Sequence, residues 1–383
     1  MRVLHVYKTY LPETFGGSEQ VIRQLCDGTT RLGIENEILT LTAQRAPSVS
    51  QYEGQRVHRL PRTIEIASTG FATALIPTLA RLAPQFDLIH YHYPWPFMDL
   101  AHFAARVQKP SLVSYHADIF RQKNLLKLYR PLQHRFLQSV ARIVTTSPNY
   151  FASSKTLQRY RDKVAMITYG LDRALYPAPT SALLDQWRTR CATRFFLFVG
   201  VLRYYKGLQF LLDAVAETDM PVVIVGAGLE EQALRQQAMR RGHRNVLFVG
   251  AVSDEDKIAL LTLCHAFVFP SHLRTESFGI SMLEAAMFGK PMISCEIGSG
   301  TSYINLDGET GLVVPPHDAA ALGAAMRRLW HDSALAQTMG ARAALRYQKI
   351  FTAETMARRY VALYHEVVDQ DPPANTGAAQ WHD

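Results

Sequence analysis

Short runs in the second half of the chain are apolar throughout and stop abruptly. Phe195–Val199 stops at Gly200, Val222–Val225 at Gly226, Val246–Val249 at Gly250, and Ala266–Phe269 at Pro270. A strand that is apolar on both faces must be covered on both, as happens in a parallel sheet flanked by helices. Helical stretches follow these stops, including those from Gly207 and Ser253, and Pro291–Ser294 and Gly311–Val314 extend the series. The first half repeats the pattern at Val3–Val6, Glu37–Leu41, Arg56–Leu60, Leu88–His90, Ser111–Ser114 and Arg142–Thr145, with helical stretches between most of them. The expected fold class is α/β, with two doubly wound, Rossmann-like domains. The passage around Pro177, Pro179, Thr180 and Ser181 marks the boundary. It divides the chain into domains over 1–178 and 179–345, a C-terminal helix over 346–368 packing back on the first domain, and a disordered tail over 369–383.

At 383 residues the chain exceeds one ordinary core, which suits two domains. A formal charge of +8 favours a phosphorylated or otherwise anionic partner. No arginine- or lysine-rich arm interleaved with aromatics is present, so nucleic acid is not expected. Cys26, Cys191, Cys264 and Cys295 are scattered without a C-x-x-C pair. That spacing argues against a zinc site or a disulfide framework and fits a reducing compartment. The N-terminus enters a strand-like run at once, without a signal-peptide core, and no apolar run approaches the length of a membrane span. A cytoplasmic protein is expected, at most attached to the inner face of the plasma membrane.

The stretch from Pro270 to Pro291 is the richest in chemistry. It reads as a loop carrying Glu276, a turn at Ser277-Phe278-Gly279, and a short helix from Ile280 that carries Glu284 and stops at Gly289-Lys290-Pro291. The start of such a helix presents unpaired N–H groups and the positive end of its dipole, which suits a phosphate. The two glutamates could address separate parts of one elongated ligand, or simply be solvated charges on an amphipathic helix.

A second loop, Gly200-Val201-Leu202-Arg203-Tyr204-Tyr205-Lys206-Gly207, sets Arg203 and Lys206 beside glycines at another strand end. Arginine offers a fork and lysine a point charge to phosphate oxygens, enough to stabilise a diphosphate leaving group. Gly226-Ala227-Gly228 begins like a dinucleotide fingerprint, but Glu231 replaces the third glycine and would oppose a pyrophosphate. Asp254-Glu255-Asp256 matches a D-x-D metal pattern, yet acids in the first turn of a helix after Ser253 explain it. In the first half, Gly16-Gly17 after the first strand lets backbone approach a ligand, with Ser18 as a candidate helix cap. His90 and His92 end one strand and His116 follows another, where ligands gather in open α/β sheets. No third ligand for a metal pair is evident, so no metal is expected, and His116 is the better active-site candidate. Between Ile119 and Ile143, Arg121, Lys123, Lys127, Arg130 and Arg135 alternate with leucines around Pro131, which should kink or divide the helix. That basic amphipathic face could contact an anionic membrane or be an ordinary solvated surface.

Arg203 and Lys206, followed by Glu276 and Glu284 eight apart, resemble the signature of GT-B glycosyltransferases of family 4. The resemblance takes in Gly16-Gly17, His116, Tyr169-Gly170-Leu171-Asp172 and Gly311–Val314, nearly the whole chain. It implies a GT-B fold with a cleft between the domains, and retaining, metal-independent transfer without a cofactor, the nucleotide-sugar being a substrate. Arg203 and Lys206 would then hold the donor diphosphate and Glu284 the ribose. Glu276 would contact the donor sugar, helped by backbone at Phe278, Gly279 and Ile280. Gly16-Gly17 would approach the phosphate or sugar, and His116 would contact the sugar near the reacting carbon. The Val201–Gly207 loop resembles those of bacterial mannosyl- and rhamnosyltransferases of surface polysaccharide and O-antigen assembly. That likeness favours a GDP-linked mannose or deoxymannose as donor and a glycan or lipid-linked saccharide as acceptor. Two positions depart from the family pattern: Val201 stands where it has arginine, and Tyr169 where it commonly has asparagine. A UDP-sugar 2-epimerase and a non-catalytic nucleotide-sugar-binding protein are the alternatives.

Overall fold

A computed structural model describes residues 1–66, 69–119, 123–216 and 218–370. The tail beyond 370 lies outside the described residues. The chain divides into two compact units. The first comprises Met1–Thr146, Ser154–Ile167 and the chain from Glu354 onward, and the second comprises Ser147–Ser153 and Thr168–Ala353.

The first unit is built on strands β1 (Arg2–Val6), β2 (Glu35–Thr42), β3 (Ser48–Tyr52) and β4 (Gln55–Pro61), with a small β5 (Ile64–Ile66) and β6 (Thr69–Phe71) pair. It continues with β7 (Leu88–Tyr93), β8 (Ser111–Tyr115), β9 (Arg142–Thr145) and β10 (Val164–Met166). The main sheet runs β10-β9-β8-β7-β1-β2-β4-β3. Its pairs are parallel except β3 against β4, an antiparallel edge hairpin that periodicity did not signal because β3 is mostly exposed and polar. The register sets His5 of β1 directly beside His90 of β7. Since side chains alternate along a strand, His92 shares the face of His90.

One side of that sheet is covered by the helix Ala353–Asp369. Its Met356, Tyr360, Leu363, Tyr364 and Val367 form one buried cluster with Val3, Leu25, Leu88, Leu112 and Val144. The first and last stretches of the described chain therefore share a core. The helix also carries polar contacts inward: Tyr364 OH meets His90 Nδ1 at 2.8 Å, and Tyr360 OH meets Ser114 Oγ at 2.8 Å. The helix Lys123–Ser139 runs through Pro131 without dividing. It buries Phe136 and Leu137 and leaves Lys127, Arg130 and Arg135 exposed. Arg121 lies outside the described residues.

The second unit holds β11 (Phe196–Val199), β12 (Val222–Val225), β13 (Val246–Gly250), β14 (Ala266–Phe269), β15 (Met292–Cys295) and β16 (Gly311–Val314). They form one sheet in the order β13-β12-β11-β14-β15-β16, parallel at every pair. Counted within the unit this is 3-2-1-4-5-6, so the order reverses between β11 and β14. The apolar runs in β11 and β14 are buried throughout, as a sheet covered on both faces requires. All four cysteines are buried and unbridged.

The Tyr364 hydroxyl has a buried imidazole as its partner, so Tyr364→Phe should leave His90 Nδ1 unsatisfied and cost about 1–3 kcal/mol of stability. Tyr364→Ala, which also opens the core cluster, should cost about 3–5 kcal/mol. Urea unfolding curves of both variants check the ranking.

Candidate active site

The carboxyl ends of β11 and β14 are neighbours at the point where strand order reverses, and both loops carrying the candidate charges leave from there. After β11 the chain makes a 3₁₀ turn over Tyr204–Lys206 and passes into a helix at Leu208 through Gly207, whose φ is 70°. A Cβ at Gly207 would stand 2.0 Å from the carbonyl oxygen of Pro270, at the start of the loop after β14. Glycine there lets the two loops touch, and the amide of His272 donates to the Tyr205 carbonyl at 3.0 Å across the same seam. In consequence Lys206, 8% exposed, reaches Glu276 and forms an ion pair with it. Ser271 donates a further hydrogen bond to the same carboxylate at 3.3 Å. The Lys206 ammonium also lies 4.5 Å from the Phe269 ring centroid, a cation–π contact that suits a partly dehydrated charge.

Gly226 closes the other side of the β11 loop. Its φ is 131°, and a Cβ would fall 2.0 Å from the carbonyl oxygen of Gly200. The glycines that begin like a dinucleotide fingerprint thus have a packing reason. Arg203 is exposed and forms no ion pair among the described residues.

The helix Ile280–Met287 begins after Gly279, whose φ is 99°. The first N–H groups of this helix have no intrahelical acceptor, as at any helix start. Phe278 is buried. Its ring packs edge-on against Tyr169 at 4.9 Å, which accounts for an aromatic residue at position 169. Glu284 is 5% exposed, and its Oε1 accepts from Lys257 Nζ at 2.9 Å and from the Tyr176 hydroxyl at 3.0 Å. Burial lowers the Lys257 pKa, but Glu284 and Asp254 outweigh it and leave the ammonium raised above its ordinary value. Both bonds fall on one oxygen, and Oε2 has no protein partner among the described residues. Sequence reading did not find Lys257 or Tyr176, because neither lies in a recognisable spacing. Asp254-Glu255-Asp256 is the first turn of the helix Asp254–Leu263, capped by Ser253, whose side chain accepts from the Asp256 amide.

In the first unit the helix Gly17–Thr30 starts directly after Gly16, and Ser18 does not cap it. Instead the Glu19 carboxylate folds back over the helix start. It takes a hydrogen bond from Thr14 Oγ1 at 2.9 Å, and a Cβ on Gly16 would meet Glu19 Oε2 at 2.7 Å. Three residues past Gly16, Glu19 occupies the capping-box position, a spacing legible in the sequence.

His116 is buried just beyond β8, and its Nε2 lies 3.0 Å from His92 Nδ1. His92 Nε2 in turn lies 3.1 Å from His5 Nδ1, and His5 Nε2 lies 3.1 Å from Asn36 Oδ1. The structure therefore supplies the third imidazole that spacing did not reveal, with ligand atoms of His5, His90 and His92 all within 4.8 Å. Both nitrogens of His90 are also engaged, by Tyr364 and by Ser114 at 2.7 Å. All six ring nitrogens have hydrogen-bond partners, so a metal could bind here only by displacing them.

The structure thus brings Lys206 together with Glu276, holds Glu284 separately through Lys257 and Tyr176, and links His116 into a buried imidazole chain. Paired charges lie beside a helix start at a strand-order reversal, the place where open α/β sheets bind ligands. The sequence matches the family model described as "Glycosyl transferases group 1" over residues 184–346, and "Glycosyl transferase 4-like domain" over residues 16–170. It is 58% identical to D-rhamnosyltransferase WbpZ of Pseudomonas aeruginosa, across 92% of this chain and 93% of that one. It is 47% identical to O-antigen chain mannosyltransferase C of Escherichia coli, across 96% and 99%. In fold it is similar to sucrose-phosphate synthase from Thermosynechococcus elongatus, with a TM-score of 0.79 at 22% identity over 96% of this chain and 99% of that one. The fold is GT-B. The chain belongs to this family of glycosyltransferases and is an enzyme of sugar transfer.

Burial pulls the His5 pKa down to about 4, against an opposing hydrogen bond from Asn36. Burial, with the charge of Lys8 second, pulls His116 down to about 3. Both rings are neutral when folded and take up protons near pH 6.5 when unfolded. Their contribution to stability is complete above pH 6.5 and falls as pH drops toward 4, by about 1.4 kcal/mol per pH unit for each ring. Denaturant unfolding of the first unit between pH 7.5 and 4.5 should show this acid-side loss, reduced in His5→Asn.

Proposed function

We propose that the enzyme transfers mannose or a deoxymannose such as rhamnose from a GDP-linked donor to a glycan or lipid-linked saccharide in surface polysaccharide assembly. Transfer would proceed with retention of configuration and without a metal. The observation that carries the choice of sugar is the similarity, along nearly the whole chain, to one rhamnosyl- and one mannosyltransferase. The Lys206–Glu276 pair supports a mechanism. A donor diphosphate draws Lys206 away from Glu276, and the released carboxylate accepts from sugar hydroxyls. The cation then stabilises the departing diphosphate as the sugar–oxygen bond breaks. Arg203, exposed, adds a second cation. Gly279 and Ile280 offer backbone N–H groups, and Glu284 accepts from the ribose through Oε2. Gly16-Gly17 would meet the donor phosphate or sugar, and His116 the sugar near the reacting carbon.

A panel of nucleotide sugars in excess EDTA tests this reading. GDP-mannose or GDP-rhamnose should give the largest thermal shift and the only substantial turnover, unchanged by the chelator. Lys206→Ala and Glu276→Ala should each lower kcat by about 10²–10³-fold. Lys257→Met should act mainly on donor KM, since it leaves the Glu284 carboxylate without its strongest anchor. A preference for UDP-sugars, or an inverted product anomer by NMR, would refute the donor or the stereochemistry respectively.

The exposed Lys127, Arg130 and Arg135, with Leu128 82% exposed among them, support peripheral contact with an anionic membrane at the inner face of the plasma membrane. Among the described residues no helix is long and apolar enough to cross a membrane. Binding to vesicles containing anionic lipid should weaken steeply between low and physiological salt. Equal binding to neutral vesicles would sink the idea.

A further inference from the structure

The direction of every hydrogen bond in the imidazole chain follows from one amide. Asn36 Nδ2 lies 3.2 Å from the carbonyl oxygen of Cys26 and 3.4 Å from that of Ile34. It also lies 3.0 Å from each of the hydroxyls of Thr29 and Thr30. Carbonyl oxygens only accept, so the NH₂ group must face them and Oδ1 must face His5. His5 Nε2 therefore carries a proton and donates to Oδ1. A neutral imidazole has a single N–H, which leaves His5 Nδ1 as an acceptor for His92 Nε2–H. His92 Nδ1 is then an acceptor for His116 Nε2–H. Neutrality of the rings follows from burial, which lowers the pKa of all three. His92 and His116 are also stacked, with ring planes 5° apart, so the orientation of the last ring is fixed along with its proton.

We propose that Asn36, His5 and His92 are positioning residues that hold His116 in the Nε2–H tautomer, with a lone pair rather than an N–H at Nδ1. The inference rests on the proposed reading of His116 as the group that meets the donor sugar. A ring held this way can only accept at Nδ1; it neither donates from that atom nor delivers a proton through it. None of the three positioning residues needs to touch the substrate, and each acts by setting the polarity of the next.

The test has two arms. In the full-length enzyme labelled with [15N]histidine, long-range 1H–15N correlation at pH 7.5 reads the protonation of each ring nitrogen, with His116 assigned from the spectrum of His116→Gln. His116 is expected with Nε2 protonated and Nδ1 bare; an Nδ1–H tautomer or an imidazolium would overturn the chain. The second arm compares His5→Asn, which keeps a carbonyl acceptor for His92 Nε2–H, with His5→Leu, which removes it. His5→Leu should lose the single His116 tautomer and about 10- to 100-fold in kcat, with donor KM changing little, whereas His5→Asn should stay within about threefold of wild type. Equal loss in the two variants, at equal melting temperatures, would mark a structural role and refute positioning. Full activity in His116→Ala would refute the underlying reading of His116, while the wild-type spectrum judges the chain separately.

Discussion

The two large sheets of this molecule are parallel apart from the β3–β4 edge hairpin, with their central strands covered on both sides, and that constraint governs where chemistry can sit. Strands whose two faces are both packed have no surface left for polar function, so reactive groups collect where the strands end. In the second unit the carboxyl ends of β11 and β14 adjoin at the reversal of strand order, and Lys206 and Glu276 leave from those ends to meet. In the first unit the same edge receives His92 and His116. The sheet thus decides which residues can be neighbours, and the loops decide their chemistry.

The second unit was the more legible in sequence, for a physical reason. Runs such as Phe196–Val199 and Val222–Val225 are apolar on both faces and end sharply, so their strand state and their ends are written in composition. Glu276, Glu284 and Lys206 follow such ends directly and could be found by spacing. Lys257 and Tyr176 could not be found that way, because their partner Glu284 is brought close only by packing. The His5 contact was hidden for a related cause. Pairing of β1 with β7 joins residues 85 positions apart, and neither strand alone announces its register.

The two glutamates that stand eight apart are treated very differently by their surroundings. Glu276 is in an ion pair with Lys206 at the seam between two loops. Glu284 is anchored on one oxygen by Lys257 and Tyr176, and the other oxygen has no protein partner among the described residues. A carboxylate held by two donors on the same atom loses rotational freedom.

The helix Ala353–Asp369 has a consequence for how the chain is made. Its Met356, Tyr360, Tyr364 and Val367 fill the same cluster as Val3, Leu25 and Leu88, so the core of the first unit is finished by nearly the last residues described. Domains usually complete folding in the order they leave the ribosome. Here the amino-terminal sheet emerges first, and its apolar face stays uncovered while the whole second unit is synthesised. A nascent chain interrupted anywhere before residue 353 would carry that bare face, and would be a natural client for a chaperone or a protease.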